Sequence, residues 1–145
     1  MILSYFDSSI LLAIVLDEER QEDAYKYWQN SIRVSSILLK IETIITLRRT
    51  YEVNKQKLEN DWLNKKIRIM DEYLATVNYK VLNDKIERQI YSRKELAQCR
   101  SLDAIHIATA LQFREINNNE EMNLYTFDRA MHSLAEYYKF KTNKL

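Results

Sequence analysis

Short strand-like segments alternate with helical segments along the whole chain, and this alternation constrains the fold more than any other feature of the sequence. Strands separated by helices predict a three-layer α/β/α sandwich with a central, mostly parallel sheet. No linker, repeat or low-complexity segment divides the chain, so we expect one domain over residues 1–145. The strand candidates are residues 2–6, 33–35, 79–82, 124–127 and 138–141.

Apolar periodicity predicts a helix between most of these strands. Ser8 or Ser9 is expected to cap the first helix, Ser36 the third and Ser101 the most apolar one. A helical arm is expected around residues 51–77. The predicted helices are residues 10–16, 22–30, 37–50, 52–63, 66–77, 84–98, 102–113 and 129–138.

The chain contains no glycine and no proline. This excludes phosphate-binding loops that depend on glycine, such as the P-loop and the dinucleotide fingerprint. Turns that need unusual backbone angles must use asparagine, for which Asn30, Asn83 and residues 117–119 are candidates.

Composition narrows the class of protein and its compartment. With 46% hydrophobic residues the chain can form a real core, and 22 basic against 21 acidic residues do not indicate a nucleic-acid binder by charge alone. Cys99 is the one cysteine, which favours the reducing cytoplasm. No apolar stretch is long enough to span a membrane. The basic segment 48–68, which includes Lys65, Lys66 and Arg68, is either a solvated helix face or a phosphate-binding surface.

Two aspartates each follow a predicted strand. Asp7 comes directly after Phe6, and Asp128 comes directly after Phe127. In open α/β sheets, ligands bind beyond the carboxyl ends of the strands. If both strands belong to one parallel sheet, both carboxylates therefore lie at the same edge.

Two further acids lie near apolar helix faces. Glu42 is at the border of the apolar arc of its helix, where it either reaches water, pairs with Arg49 or serves a site. Asp103 lies in a helix that is apolar in most directions. In the first turn the helix dipole favours its charge by only about 0.3–1 kcal/mol, whereas burying an unpaired carboxylate costs several times more. Asp103 therefore needs a partner.

The two histidines and the cysteine are weaker candidates. The alternatives for His106 are a ligand, a base or a core histidine with satisfied hydrogen bonds, and the last is favoured. His132 is expected on a helix surface, and Cys99 is interpreted as structural. The four acids Asp7, Glu42, Asp103 and Asp128 would repel one another in one cleft unless a cation lay among them. An all-oxygen set suits Mg²⁺ or Mn²⁺, which can activate water for phosphodiester hydrolysis.

At these residues the chain resembles a known family. The segments YFDSSILLAIVLDE, SSILLKIETIITLRR, SLDAIHIATAL and LYTFDRAMHSLAEYYKF resemble, in order and spacing, the PIN-domain ribonucleases, and most closely the VapC-type toxins of bacterial toxin–antitoxin pairs. The resemblance implies an α/β/α fold and metal-dependent cleavage of RNA. It assigns metal binding and catalysis to Asp7, Glu42, Asp103 and Asp128, with Ser9 and Thr126 in support.

The resemblance also implies partners. We expect a homodimer and a cognate antitoxin that closes the acidic cleft. The aromatic residues Tyr25, Tyr27, Trp28, Tyr51 and Trp62 are either lining for such a groove or, more in keeping with their type, core packing. The alternative function is a catalytically inactive domain of the same fold that binds RNA or protein. A haloacid-dehalogenase-type phosphatase is set aside because Ser9 stands where that mechanism needs a second aspartate.

Overall fold

The computed structural model describes residues 1–145 and has one sheet of five parallel strands. The strand order across the sheet is β3-β2-β1-β4-β5. The predicted α/β/α sandwich with a central parallel sheet is confirmed. The strands are β1 (Ile2–Phe6), β2 (Ser31–Ser36), β3 (Asn78–Lys80), β4 (Asn123–Tyr125) and β5 (Lys141–Thr142).

Seven α-helices cover the two faces of this sheet. The helices are α1 (Ser8–Val15), α2 (Gln21–Gln29), α3 (Leu38–Asn54), α4 (Trp62–Leu74), α5 (Asp84–Ser92), α6 (Ser101–Ile116) and α7 (Arg129–Tyr137), and a 3₁₀ helix spans Lys94–Gln98. No helix is long and apolar enough to cross a membrane.

Alternation along β1 divides the apolar core into two halves. Successive strand residues point to opposite faces of a sheet. Tyr5 therefore joins the apolar cluster formed with α6 and α7, whereas Phe6 joins the cluster formed with α1 to α4. Both side chains are fully buried, so β1 is fixed from both sides.

The register of β1 and β4 places distant segments of the chain side by side. The two strands are parallel, and Phe6 lies opposite Tyr125. The residues that follow them, Asp7 and Thr126, consequently leave the same edge of the sheet. The start of α6, which carries Asp103, follows a long crossover and is not fixed by this register.

Three helices end in the same motif without a glycine. In a Schellman motif the residue after the C-cap adopts a left-handed conformation and two backbone bonds close the helix. Asp17, Asn118 and Lys139 take this position, with φ of 53°, 56° and 69°. At Lys139 the two bonds run from its own N–H to Glu136 and from the next N–H to Ala135. The expected use of asparagine is confirmed only at residues 118 and 119.

Several predicted boundaries and caps are wrong. No helix spans 52–63: α3 continues to Asn54, turns follow, and α4 begins at Trp62. The expected helical arm around residues 51–77 consists of the end of α3 and of α4, which packs on the core through Met70 and Leu74. The predicted helix 84–98 breaks at Arg93, beyond which the chain forms the 3₁₀ helix.

The N-caps differ for local reasons. The N-cap of α1 is Asp7, and Ser9 directs its hydroxyl back to the Asp7 carboxylate. The N-cap of α6 is Arg100, so Ser101 is the first helical residue. Ser36 does accept a hydrogen bond from the first N–H of α3, as a capping residue would.

Replacing Lys139 with glycine is expected to stabilise the protein. The left-handed conformation costs an L-residue roughly 1–2 kcal/mol, and a glycine loses part of this gain to chain entropy, which leaves about 0.5–1 kcal/mol. Urea unfolding of Lys139→Gly measures the gain, with Lys139→Ala as the control for the loss of the side chain. Equal stability of the two variants would contradict the assigned strain.

Candidate active site

The carboxylate of Asp7 is held by two hydroxyl groups at the sheet edge. Ser9 donates to Oδ1 at 2.6 Å, and Thr126 donates to Oδ2 at 2.9 Å. Each hydroxyl in turn accepts a backbone N–H from the segment after β4, Ser9 that of Phe127 and Thr126 that of Asp128. Both oxygens of Asp7 are thus fixed, and the start of α1 is tied to the loop after β4.

Burial makes this carboxylate costly to ionise. Only 4% of Asp7 is exposed. The pKa of Asp7 is raised to about 6, mainly by desolvation and also by the Glu42 carboxylate, while His106 and the two hydroxyls oppose the rise. A buried carboxylate with a raised pKa is a common mark of a functional site.

Asp103 lies in the first turn of α6, and its side chain makes no hydrogen bond or ion pair. It is partly buried, and this desolvation raises its pKa, as do the charges of Asp128 and Glu42, whereas His106 and Arg100 lower it. The sequence predicted that Asp103 needs a partner. No hydrogen bond within the chain provides one.

Asp128 caps a helix and also lies near another of the four acids, Asp103. Its Oδ1 accepts the N–H of Met131 at 2.8 Å and so caps α7. Its charge acts on both Asp103 and Cys99. Only the second carboxylate oxygen of Asp128 is free of a hydrogen bond.

Glu42 is bound to a histidine, not to Arg49. His106 is 1% exposed, and its Nε2 lies 2.5 Å from Oε1 of Glu42. Its Nδ1 lies 2.6 Å from the hydroxyl of Tyr5. His106 is therefore a core histidine with both ring nitrogens satisfied, and it also contacts a candidate site residue.

Sequence reasoning missed two residues that support these acids. In the sequence, Tyr5 is one apolar residue of a predicted strand. The structure shows that its hydroxyl contacts His106 on α6. Asn143 pairs with the backbone of Thr126 in both directions, at 2.9 Å each. No local motif in the sequence indicates that contact, because it depends on where the C-terminal strand lies.

The donor chemistry of the cleft fits a hard divalent cation. All four candidate ligands offer carboxylate oxygens, which Mg²⁺ and Mn²⁺ prefer. The carboxylates of Asp103 and Glu42 each keep at least one oxygen without a hydrogen bond. However, no three His, Cys, Asp or Glu side chains lie close enough together to form a ready metal group. Glu42 thus lies within electrostatic reach of both Asp7 and Asp103, and Asp128 within reach of Asp103, but the four carboxylates form no ready cluster of ligands.

The basic residues of α4 are mostly engaged in ion pairs. Lys65 pairs with Asp61 at 3.1 Å, and Lys66 binds Asp17 at 3.0 Å and the carbonyl of Val15 at 2.7 Å. Lys66 therefore ties α4 to the end of α1. Arg68 is exposed and makes no ion pair.

Other side chains lie where the sequence did not predict them. His132 is buried, not on the surface, and bonds the carbonyl of Asn143 through Nε2 at 2.5 Å. Trp28 packs on Phe6 in the core, and Tyr27 stacks on Tyr125. Tyr25 is 41% exposed. Tyr51 and Trp62 stack on each other between α3 and α4.

The fold agrees with the comparison with known protein families. Residues 4–137 match the PIN domain. The chain belongs to the PIN-domain family. PIN domains are generally metal-dependent nucleases, so this chain has a nuclease-type fold. No curated protein sequence matches the chain.

Asp103→Asn is expected to stabilise the metal-free protein at neutral pH. Because the folded state raises the pKa of Asp103, that state binds more protons than the unfolded chain in the window above about pH 4, so wild-type stability falls as pH rises through it. Partial exposure limits the gain of Asn to less than about 1 kcal/mol.

Thermal melts of Asp103→Asn at pH 3 and pH 7 measure this effect, with the exposed Asp71→Asn on α4 as the control. The variant should gain over wild type only at the higher pH. A loss of stability at pH 7 would show instead that the carboxylate stabilises the first turn of α6.

Proposed function

We propose that this chain is a metal-dependent endoribonuclease, a single PIN domain over residues 1–145, that acts as the VapC-type toxin of a toxin–antitoxin pair in the cytoplasm. Carboxylates that lie near two of the acids carry this proposal: Glu42 raises the pKa of Asp7, and Asp128 and Glu42 raise that of Asp103. Repulsion between carboxylates does not stabilise a folded chain. A cation bound among these acids would account for their placement.

The acids and the two hydroxyl residues would have different roles. Asp7 and Asp103 would be the main ligands of Mg²⁺ or Mn²⁺, with Glu42 and Asp128 completing the set. When bound, such an ion activates water and neutralises charge on the phosphate. Ser9 and Thr126 orient the carboxylate of Asp7 and favour its ionised form by donating hydrogen bonds to it.

RNA would be held by basic residues outside the cleft. The candidates are Lys65, Lys66 and Arg68. Among them, Arg68 has no acidic partner, whereas the two lysines would have to exchange their present ion pairs for phosphates. Arg68 is therefore the strongest candidate for a phosphate contact.

A protein partner would cover the region beside the cleft. Ile41 and Ile45 lie on α3 around Glu42 and are 44% and 40% exposed. Neighbouring exposed apolar residues mark interaction surfaces more often than isolated ones do. The resemblance to VapC-type toxins supports a homodimer and a cognate antitoxin as the two partners that meet this surface.

One observation favours the second candidate function. The lack of a ready group of three ligands is what an inactive relative would show, in which the fold binds RNA or protein without cleaving. The two functions differ in a single property, which is metal-dependent turnover.

RNA cleavage is expected to require Mg²⁺ or Mn²⁺ and to stop in EDTA. Replacing a residue that hydrogen-bonds to a metal ligand typically lowers activity by roughly 10–100-fold. Asp7→Asn should lower the rate by more than this, because it removes a main ligand. A gel assay on structured and single-stranded RNA measures both effects, and Asp71→Asn is the control. Cleavage that survives thorough chelation, or an unchanged Asp7→Asn, would contradict the mechanism. Binding of RNA without cleavage would support the inactive alternative.

A further inference from the structure

We propose that His106 is a positioning residue for Glu42 and that Tyr5 fixes the orientation of His106, so that a buried chain of three side chains holds one carboxylate ready for the divalent cation. The inference rests on the proposed function, because it treats Glu42 as a metal ligand. It assigns a task to two residues that the proposed nuclease mechanism leaves without one.

The three side chains come from three separate elements. Tyr5 lies on β1, His106 on α6 and Glu42 on α3. The hydroxyl of Tyr5 is 2.6 Å from Nδ1 of His106, and Nε2 is 2.5 Å from Oε1 of Glu42. The two aromatic rings meet edge to face at 75°. The contact therefore joins the sheet to helices from both of its faces.

The hydrogen on Nε2 of His106 is assigned from its partner. A carboxylate only accepts hydrogen bonds, so Nε2 carries a hydrogen and donates it to Oε1 of Glu42. The partner of Nδ1 is the Tyr5 hydroxyl, whose oxygen also accepts the N–H of Ser36 at 3.1 Å. Tyr5 thus holds the ring from β1 while His106 donates to Glu42.

The hydrogen bond from His106 occupies only one of the two carboxylate oxygens of Glu42. Oε1 accepts the hydrogen of His106, and Oε2 makes no hydrogen bond. The side chain is 21% exposed, against 1% for His106. One oxygen is therefore anchored in the core and the other is available to a ligand at the surface of the cleft.

Anchoring matters because a glutamate side chain is flexible. Without a donor, Glu42 would sample several rotamers and turn toward water, and a cation would have to pay the ordering cost on binding. Hydrogen-bonded partners of metal ligands typically change metal affinity or activity by 10–100-fold when they are removed. We expect an effect of that size for His106.

The test measures binding of Mn²⁺ by electron paramagnetic resonance and, in parallel, RNA cleavage. His106→Leu removes the donor and keeps apolar bulk, whereas His106→Gln keeps an amide N–H for Glu42. Tyr5→Phe removes only the hydroxyl. Ile107→Val, a buried neighbour on α6, controls for general loosening of the core.

We expect Mn²⁺ to bind 10–100-fold more weakly to His106→Leu, more weakly by a smaller factor to Tyr5→Phe, and nearly normally to His106→Gln and Ile107→Val. In a Glu42→Gln background, His106→Leu should have little further effect. A purely structural role of His106 would instead weaken binding equally in both backgrounds.

Several outcomes would overturn the inference. Wild-type affinity in His106→Leu, or in Tyr5→Phe if the leucine variant does not fold, would refute it and leave the nuclease proposal standing. Failure of His106→Gln to restore binding while it folds normally would refute the donor role. Absence of both Mn²⁺ binding and cleavage in the wild type would overturn the proposed function, and this inference with it.

Discussion

The rest of the site depends on two hydrogen bonds, which fix one oxygen each of the Asp7 carboxylate. Ser9 and Thr126 donate to its two oxygens and accept backbone hydrogens from the segment after β4. The clamp joins residues about 120 positions apart in the chain, as the separation of 119 between Asp7 and Thr126 shows. Parallel pairing of β1 with β4 makes it possible.

Hydrogen bonds stabilise three of the acids, while burial and neighbouring negative charge oppose ionisation. Hydroxyl groups bind Asp7, His106 binds Glu42 and a backbone N–H binds Asp128. Desolvation and neighbouring carboxylates raise the pKa of both Asp7 and Asp103. Such a cleft is costly to the metal-free fold. Natural proteins accept local cost of this kind at functional sites and recover it elsewhere, here in the two apolar clusters on either side of β1.

The sequence predicts the parts that depend on local pattern. Alternation of strands and helices gives the layered fold, and an aspartate after each of two strands places Asp7 and Asp128 at one edge. The end of α3 could not be predicted, because without glycine or proline no signal stops the helix before Asn54. Tyr5 was missed because its partner His106 is 101 positions away in the sequence. Buried His132 and Asn143 were missed because their contacts depend on where the C-terminal segment folds back, which no local pattern indicates.

The central claim is that the four acids form one cation site, and anomalous scattering from a crystal grown with Mn²⁺ tests it most directly. Data collected at the manganese edge locate the ion without reference to any assay. The account predicts a peak at the carboxyl edge of the sheet, contacted by Asp7 and Asp103, with Glu42 still bonded to His106. A well-ordered crystal with no peak there, or with the ion held by other residues, would contradict it.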